Sequence, residues 1–257
     1  MNKMNEIEIK KDYIKIPTPQ KPKKITATKV SQILGIGTAG MYTTPFQVWC
    51  DICRVYTKPF EENKYTLAGK EIEPKQAEYV KNKYHLDNLR SPREFIGPVA
   101  DSLWDFFPKE PIFGGKWDFV TVDKETNDIR RIIECKTAQS KKKKDWDGRI
   151  PSDYMVQAGL YAYLHKVDGV TFIVSFLDPS DYETPELYVP NEDNTIITQM
   201  FMSKNYPLYE EQIIKPVLEW WNKHVVTGIS PKFNEYIAED LAILEQIKPQ
   251  VEKPTLF

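Results

Sequence analysis

The sequence has few of the residues that mark several common classes of protein. Its 257 residues include only three cysteines and three histidines. An odd, low cysteine count argues against a disulfide-stapled secreted fold and favours a reducing cytoplasm. The sequence contains no apolar run long enough to span a bilayer, and its first residues lack the apolar centre of a signal peptide. We therefore expect a soluble, cytoplasmic protein with no membrane partner.

A strong excess of charge of either sign is also missing. Lys and Arg number 35 and Asp and Glu number 37, which gives a formal net charge of −2. Binding to nucleic acid would therefore require a local basic surface, because the chain as a whole is not a polycation. Apolar residues make up 41% of the sequence, which is enough for the core of one large domain.

The positions of the cysteines and histidines argue against two kinds of metal site. Cys50 and Cys53 form a C-x-x-C pair, and Cys135 is the third cysteine. An iron–sulfur cluster held by cysteines needs four thiolates, so we expect none. The three histidines lack the spacing of zinc ligands. Cys50 and Cys53 fall in a predicted helix, where cysteine packs as a small apolar residue.

Hydropathy patterns predict helical ends and a β-rich centre. Residues 1–24 are rich in lysine and proline and are predicted to form a flexible N-terminal arm. The spacing of apolar residues predicts helices over residues 25–36, 44–55, 66–84 and 152–166, and further helices in the C-terminal part. Alternation predicts strands over residues 114–122, 129–137 and 169–178, whereas residues 180–200 show no clear pattern. The order predicts one α/β (α+β) domain over residues 25–257, with a small mixed central sheet flanked by helices.

The first two predicted strands form a hairpin that places charged side chains on one face. Glu134 and Lys136 are two residues apart and so point the same way. A register in which paired residue numbers sum to 252 would bring the carboxylates together, with Cβ atoms about 4.5–5.5 Å apart. The opposed pairs would be Val122–Arg130, Val120–Ile132 and Asp118–Glu134. Registers offset by two residues fit the periodicity equally well.

Two carboxylates that lie this close repel each other unless a cation lies between them. Oxygen ligands suit Mg²⁺ or Mn²⁺, with one or two ions in the site. Lys136 on the same face could hold a phosphate oxygen, and a metal-bound water becomes a nucleophile near neutral pH. The group therefore suits hydrolysis of a phosphodiester. Asp and Lys side chains on a solvent-exposed hairpin are also ordinary, so the pattern alone leaves both interpretations open.

Five ordered segments between residues 21 and 178 resemble a known family. GGKWDFV followed by IIECKTA resembles the Asp…Glu-x-Lys core of the PD-(D/E)XK nucleases, with Trp117 at the position of the signature proline. AGKEIEPKQAEYV, ITATKVSQILG with TPFQVW, and WDGRIPSDYMVQAGLYAYL resemble segments of the lambda-exonuclease and YqaJ group of viral recombination nucleases. The resemblance implies a restriction-endonuclease-like core.

The same resemblance implies a catalytic set. Its members are Asp118, Glu134, Lys136, Glu73 and Gln157. The three carboxylates would bind the metal together with the backbone carbonyl of Cys135, and Lys136 would orient the nucleophile. Gln157 would contact Lys136 or the DNA backbone. Glu73 has a second interpretation, as an acid favoured by the dipole at the start of its helix.

The resemblance also implies a set of DNA-binding residues. They are Thr28, Lys21, Lys116, Tyr154, Tyr161, Lys141, Lys142, Lys143 and Lys144. Thr28 stands where the exonuclease group has a hydroxyl that binds a terminal 5′-phosphate, although it could equally be a helix cap. The tyrosines could instead pack their helix against the sheet. The lysine run could be a solvated loop, with Asp145 and Asp147 tempering its charge, rather than a contact to phosphates.

The activity implied by the resemblance is Mg²⁺-dependent exonuclease cleavage of linear double-stranded DNA in the 5′ to 3′ direction. The family further implies phage-type recombination and repair, a single-strand annealing protein as partner, a ring-shaped homo-oligomer, and a phage or prophage origin in a bacterial host. A structure- or end-selective endonuclease is the alternative within the enzyme class. A non-catalytic DNA-binding module is the alternative outside it, and the complete catalytic set disfavours it.

Overall fold

In a computed structural model, residues 7–146 and 148–251 are described, and the chain divides into two compact units. The first combines the described residues of Met1–Pro59, Pro111–Phe113 and Glu210–Phe257, and the second those of Phe60–Glu110 and Gly114–Tyr209. Within the described residues, no helix is both long enough and apolar enough to cross a membrane.

The elements follow the predicted order, with additions. The helices are α1 (Ala27–Leu34), α2 (Gly37–Tyr42), α3 (Pro45–Ile52), α4 (Lys64–Tyr84), α5 (Pro92–Phe95), α6 (Lys143–Trp146), α7 (Ser152–His165), α8 (Met202–Asn205), α9 (Lys215–Trp220) and α10 (Ala238–Val251). The strands are β1 (Glu8–Ile9), β2 (Ile14–Lys15), β3 (Ile25–Thr26), β4 (Leu89–Arg90), β5 (Phe113–Gly114), β6 (Phe119–Val122), β7 (Ile129–Gln139), β8 (Gly169–Leu177) and β9 (Thr195–Phe201). Turns of π-helix, Glu210–Ile214 and Trp221–Val226, flank α9.

The first unit is mainly helical, and its helix ends follow local sequence signals. α1 ends at Gly35, which adopts the left-handed conformation (φ 67°) that glycine tolerates. The Thr44 side chain caps α3 by accepting from the Gln47 N–H, and Pro45 occupies the first turn. Asp240 of α10 is fully buried and accepts hydrogen bonds from the Thr44 hydroxyl and the Gln47 amide. This carboxylate ties α10 to the start of α3.

The N-terminal segment differs from the predicted arm. Its residues 1–6 lie outside the described part of the chain, but residues 7–24 belong to the first unit, in which β1 and β2 pair antiparallel. Ile14 is fully buried, its N–H donates to the Ser230 hydroxyl, and its carbonyl accepts from the Ser230 N–H, both at 2.9 Å. One apolar residue with paired backbone groups therefore anchors a segment whose lysines and prolines suggest an arm. Residues 7–24 are therefore part of a compact unit, together with residues from the C-terminal part of the chain.

In the described part of the second unit, five strands form one mixed sheet in the order β4-β6-β7-β8-β9. β7 and β8 are parallel, and the other neighbours are antiparallel. The parallel pair needs a crossover connection, which contains α6 and α7. The predicted α/β fold with a small mixed sheet flanked by helices is confirmed.

The hairpin register agrees with the predicted sum of 252 over most of its length. Phe119 pairs with Ile133 and Val120 with Ile132. The predicted partner of Val122 is wrong, because a bulge after Thr121 shifts Val122 from Arg130 to Ile129. The first strand is also shorter than predicted. Gly115 has φ 148°, a conformation that interrupts residues 114–122 before β6 begins.

Helices cover both faces of this sheet. α4 packs Ala77 and Val80 against Ile133, Cys135 and Ile173 on one face. α7 lies on the opposite face, where its Gln157 meets Glu134. The alternation of Glu134 and Cys135 along β7 therefore points the acid towards α7 and the thiol towards α4.

Candidate active site

The carboxylates of Asp118 and Glu134 meet where β6 begins beside β7. Continuing the register by one residue from the Phe119–Ile133 pair places Asp118 beside Glu134, and their carboxyl groups interact directly. Asp118 Oδ2 accepts a 2.7 Å hydrogen bond from the backbone N–H of Cys135. The hairpin thus brings the two acids together as the sequence predicted.

Glu134 is the most deeply buried member of the site, with no exposed surface. Its Oε2 accepts from Lys136 Nζ at 3.0 Å and from Gln157 Nε2 at 3.4 Å. Among the described atoms, its Oε1 has no hydrogen-bond partner. A buried carboxylate oxygen without a partner is costly, and such an atom needs an explanation.

Glu73 approaches the pair from α4, on which it is partly buried. Burial, followed by repulsion from Asp118, raises its pKa to about 7. α4 continues through Pro74 as one helix from Lys64 to Tyr84, so Glu73 lies in the third turn. The alternative role as an acid favoured by the helix start is therefore wrong, because the dipole effect is confined to the first turn.

The pKa values of the other two acids, Glu134 and Asp118, are also raised. Burial, followed by repulsion from Asp118, raises the pKa of Glu134 to about 8. Burial also raises the pKa of Asp118, against the attraction of Lys136. The buried ammonium of Lys136 faces three carboxyl groups, and the exposed Lys116 acts on Glu73 as well. Three carboxyl groups against these two ammonium groups leave a local surplus of negative charge that favours a cation.

Lys136 lies within this group, with 15% of its side chain exposed. Burial by itself lowers its pKa, but attraction to Glu134 and Asp118 outweighs burial, and the pKa is raised. Its ammonium also lies 5.2 Å from the centre of the Tyr154 ring, a cation–π contact. Lys136 is thus held charged and fixed in place.

Three predicted residues of α7 have different surroundings. Gln157 and Tyr154 are partly buried and contact Glu134 and Lys136 respectively. Tyr161 is buried and stacks on Phe107, with ring centroids 6.1 Å apart. A Cβ at Gly115 would lie 2.8 Å from the Tyr161 ring, so the glycine permits this close packing. Burial makes Tyr161 a packing residue, the second of its two predicted interpretations.

His165 is not among the predicted site residues, yet it supports the residue before Asp118. Trp117 is buried, and its indole N–H donates to His165 Nε2 at 3.1 Å. Phe95 and Phe106 pack against the same indole. The only sequence signal was that a bulky aromatic residue replaces the signature proline, since a buried indole N–H needs an acceptor.

The residues predicted to bind DNA are divided between the two compact units. Lys116 is exposed beside Asp118, with its ammonium 5.4 Å from the Phe106 ring centre. In the first unit, Lys21 is exposed, and so is Thr28 in the first turn of α1. Thr26 is the N-cap of α1, so the cap alternative for Thr28 is wrong.

The lysine run is not the predicted loop. Ser140–Lys142 form a 3₁₀ turn that leads into α6. Trp146 at the end of α6 packs against Tyr154 and Phe176, and this packing explains why the segment is helical. Lys141, Lys142 and Lys144 are exposed, whereas the Lys143 ammonium donates to the carbonyl of Asp193. Asp147 lies outside the described residues.

The donor set fits a hard divalent cation. It consists of three carboxyl groups with raised pKa values and one buried carboxylate oxygen without a partner in the described structure. Within residues 7–146 and 148–251, no group of three or more His, Cys, Asp and Glu side chains is arranged to hold a metal ion by itself. Mg²⁺ commonly takes one or two protein carboxylates and keeps several waters, so it does not require three protein side chains.

A hairpin that presents Asp118 opposite a Glu-x-Lys strand, with helices on both faces of the sheet, defines the PD-(D/E)XK class of nucleases. A family model described as the YqaJ-like viral recombinase domain matches residues 18–165, more than half of the chain. The chain belongs to this family.

Two relatives and two solved structures are similar to this chain over most of its length. Uncharacterized protein MG373 of Mycoplasma genitalium is 27% identical and aligns over 83% of this chain and 84% of its own length. Its Mycoplasma pneumoniae homologue is also 27% identical, with 82% and 83% covered. The alkaline exonuclease LHK-Exo from Laribacter hongkongensis superposes with a TM-score of 0.48 at 14% identity, covering 91% of this chain and 93% of its own. A phage related exonuclease from Haemophilus somnus gives 0.49 at 14% identity, with 88% and 97% covered.

Proposed function

We propose that this protein is a divalent-metal-dependent deoxyribonuclease that degrades linear double-stranded DNA from its ends in the 5′ to 3′ direction. The observation that carries the proposal is the buried Glu134 carboxylate. One oxygen is held by Lys136 and Gln157, and the other has no partner among the described atoms, beside Asp118. Family membership supports nuclease activity.

Each residue of the site has its own role in the proposed reaction. Asp118, Glu134 and Glu73 would hold Mg²⁺ or Mn²⁺, together with the backbone carbonyl of Cys135. When bound, the metal would supply a water with a lowered pKa and neutralise charge on the phosphate. Lys136 donates to a phosphate oxygen and stabilises the negative charge that grows there in the transition state.

Gln157 keeps the Glu134 and Lys136 pair oriented through its amide. Its Nε2 donates to the same oxygen, Glu134 Oε2, that accepts from Lys136. The cation–π contact of Lys136 with Tyr154 restricts the ammonium further. Preorganised donors reduce the reorganisation that the reaction would otherwise require.

DNA would be held mainly through its phosphates. Lys116 is exposed beside the acids, and Lys141, Lys142 and Lys144 are exposed after β7, so these side chains are available to the backbone of a duplex. Thr28 and Lys21 would bind a terminal 5′-phosphate. A ring-shaped homo-oligomer around the duplex and a single-strand annealing protein that receives the product strand complete the proposal.

The test uses three substrates of equal length in Mg²⁺: a linear duplex labelled at its 5′ ends, the same duplex labelled at its 3′ ends, and a covalently closed circle. An exonuclease acting 5′ to 3′ releases the 5′ label early as mononucleotide and leaves the circle intact. Early loss of the 3′ label would reverse the polarity. Cleavage of the circle at a comparable rate would identify an endonuclease. Binding without cleavage in Mg²⁺ and Mn²⁺ would leave a DNA-binding module.

A further inference from the structure

A glutamine outside the predicted catalytic set connects α4 to the catalytic strand. Gln76 is 1% exposed and follows Glu73 by three residues on α4. Its side-chain amide nitrogen donates to the carbonyl of Lys136 at 2.8 Å and lies 3.1 Å from the carbonyl of Ile173 and 3.0 Å from the Ser175 hydroxyl. One buried amide therefore bridges α4, β7 and β8.

The remaining contacts of α4 with this face of the sheet include apolar ones, from Ala77 and Val80. Apolar burial is not directional, so directed polar contacts add to the packing in selecting one rotation of the helix. A step of one residue along a helix turns a side chain by roughly 100°. Such a rotation would carry Glu73 away from Asp118. A buried amide bonded to backbone carbonyls resists it, because hydrogen bonds broken in the interior are not replaced by water.

We propose that Gln76 is a positioning residue: its hydrogen bond to the Lys136 carbonyl fixes the rotation of α4 and so holds Glu73 at the Asp118 and Glu134 site. This inference rests on the proposed function and adds a residue to it. Gln76 acts through Glu73, without touching the DNA or the metal.

The network around Gln76 offers a matched control. The Ser175 hydroxyl also lies 3.0 Å from the Thr195 hydroxyl on β9. Thr195 is buried to a similar degree, 5% exposed, but the hydrogen bonds of its side chain are to Ser175 and Asn194. Thr195→Val should therefore destabilise the same network without turning α4.

The experiment is a double-mutant cycle with Gln76→Met and Glu73→Gln in the full chain, with Thr195→Val as control. Two readouts are taken: kcat and KM on linear duplex in Mg²⁺, and the rise in melting temperature as Mn²⁺ is added. Gln76→Met should lower kcat and the apparent Mn²⁺ affinity by roughly 10- to 100-fold, with KM for DNA little changed. In the Glu73→Gln background the same change should cost less than about twofold.

The proposal would be overturned if Gln76→Met lowered kcat and Mn²⁺ affinity equally in the wild-type and Glu73→Gln backgrounds. It would also be overturned if Thr195→Val, at the same loss of stability as Gln76→Met, lost as much kcat. If Gln76→Met does not fold, Gln76→Asn retains the amide but is too short to reach the Lys136 carbonyl, and the same outcomes apply. If the wild-type protein cleaves no DNA, the proposed function fails. The Mn²⁺ melting cycle then still decides whether Gln76 acts through Glu73.

Discussion

The backbone N–H of Cys135 donates a 2.7 Å hydrogen bond to Oδ2 of Asp118. This bond fastens the acid before β6 to the strand that carries Glu134 and Lys136. It also occupies one carboxylate oxygen with a protein donor, and we propose that the other oxygen binds the metal. Structure and proposed chemistry therefore make separate demands on the two oxygens of one side chain.

The Asp118→Asn substitution should separate the structural role of Asp118 from its proposed role in cleavage. The amide oxygen can still accept from Cys135, so the fold should be retained, while loss of the charge should slow cleavage by roughly a hundredfold or more, about 3 kcal/mol of barrier. Single-turnover cleavage in Mg²⁺ and a melting curve in EDTA measure the two effects. Asp123→Asn in the exposed hairpin turn is the matched control. An Asp118→Asn protein with near wild-type rate would remove Asp118 from the site.

Glu73→Gln should make the metal-free protein more stable at alkaline pH. The pKa of Glu73 is raised from 4.5 to about 7 in the folded state. The folded chain then binds this proton more tightly than the unfolded chain, so stability falls as pH rises from about 4.5 to about 7. The glutamine lacks this penalty, on the order of 1–2 kcal/mol after allowance for solvent access. Melting in EDTA should show a higher transition than wild type at pH 8 and little difference at pH 4.5.

The control for that experiment is Glu71→Gln, an exposed acid two residues earlier on α4. It should leave the melting temperature almost unchanged at both pH values. A Glu73→Gln protein that melts below wild type at pH 8 in EDTA would contradict the electrostatic description of the site.

His165 should make the protein sensitive to acid. Burial lowers its pKa from 6.5 to about 4, and its Nε2 accepts from the Trp117 indole. The unfolded chain therefore binds this proton more readily, so the contribution is complete above pH 6.5 and is lost as pH falls to about 4. The expected loss is on the order of 1–2 kcal/mol after discounting for solvent access.

Chemical denaturation at pH 7.0, 5.5 and 4.5 measures this effect. His165→Gln keeps an acceptor for the indole but cannot be charged, so its stability should change less over this interval than that of the wild type. Parallel pH profiles for the two proteins would show that His165 does not titrate in this way.

Replacing Lys141, Lys142 and Lys144 by Ala should weaken DNA binding without changing the chemistry. The slope of log affinity against log salt is negative, and each phosphate that a lysine no longer neutralises makes it shallower by about 0.9. The magnitude of the slope should therefore decrease by up to about 3. Lys143→Ala is an internal control, because the Lys143 ammonium is bonded to the Asp193 carbonyl. A slope unchanged by the triple replacement would identify the run as a solvated surface.

Short-range patterns were enough to predict the hairpin and the acids it carries. Alternation in β7 places Glu134 and Lys136 on one face, and the predicted register holds at Val120–Ile132. The prediction failed at Val122, because a bulge depends on the packing of the two strands together. It also missed β4 and β9, which are short or half-exposed, so their apolar pattern is weak.

These short-range patterns could not predict the residues that act through long-range contacts. Gln76 and His165 each belong to ordinary helical sequence, and their partners Lys136 and Trp117 lie 60 and 48 residues away. Ile14 likewise depends on Ser230. A polar residue inside a helix becomes informative only when the fold shows which buried group it satisfies.

The central claim is tested most directly by comparing wild type, Lys136→Met and Lys124→Met on linear duplex DNA, each with Mg²⁺ and with EDTA. Methionine keeps the buried aliphatic part of Lys136 and removes its charge, while Lys124 is an exposed lysine in the same hairpin. We predict metal-dependent cleavage by wild type and Lys124→Met, and a rate at least roughly a hundredfold lower for folded Lys136→Met. Equal cleavage by all three proteins, or cleavage that persists in EDTA, would contradict the proposed nuclease site.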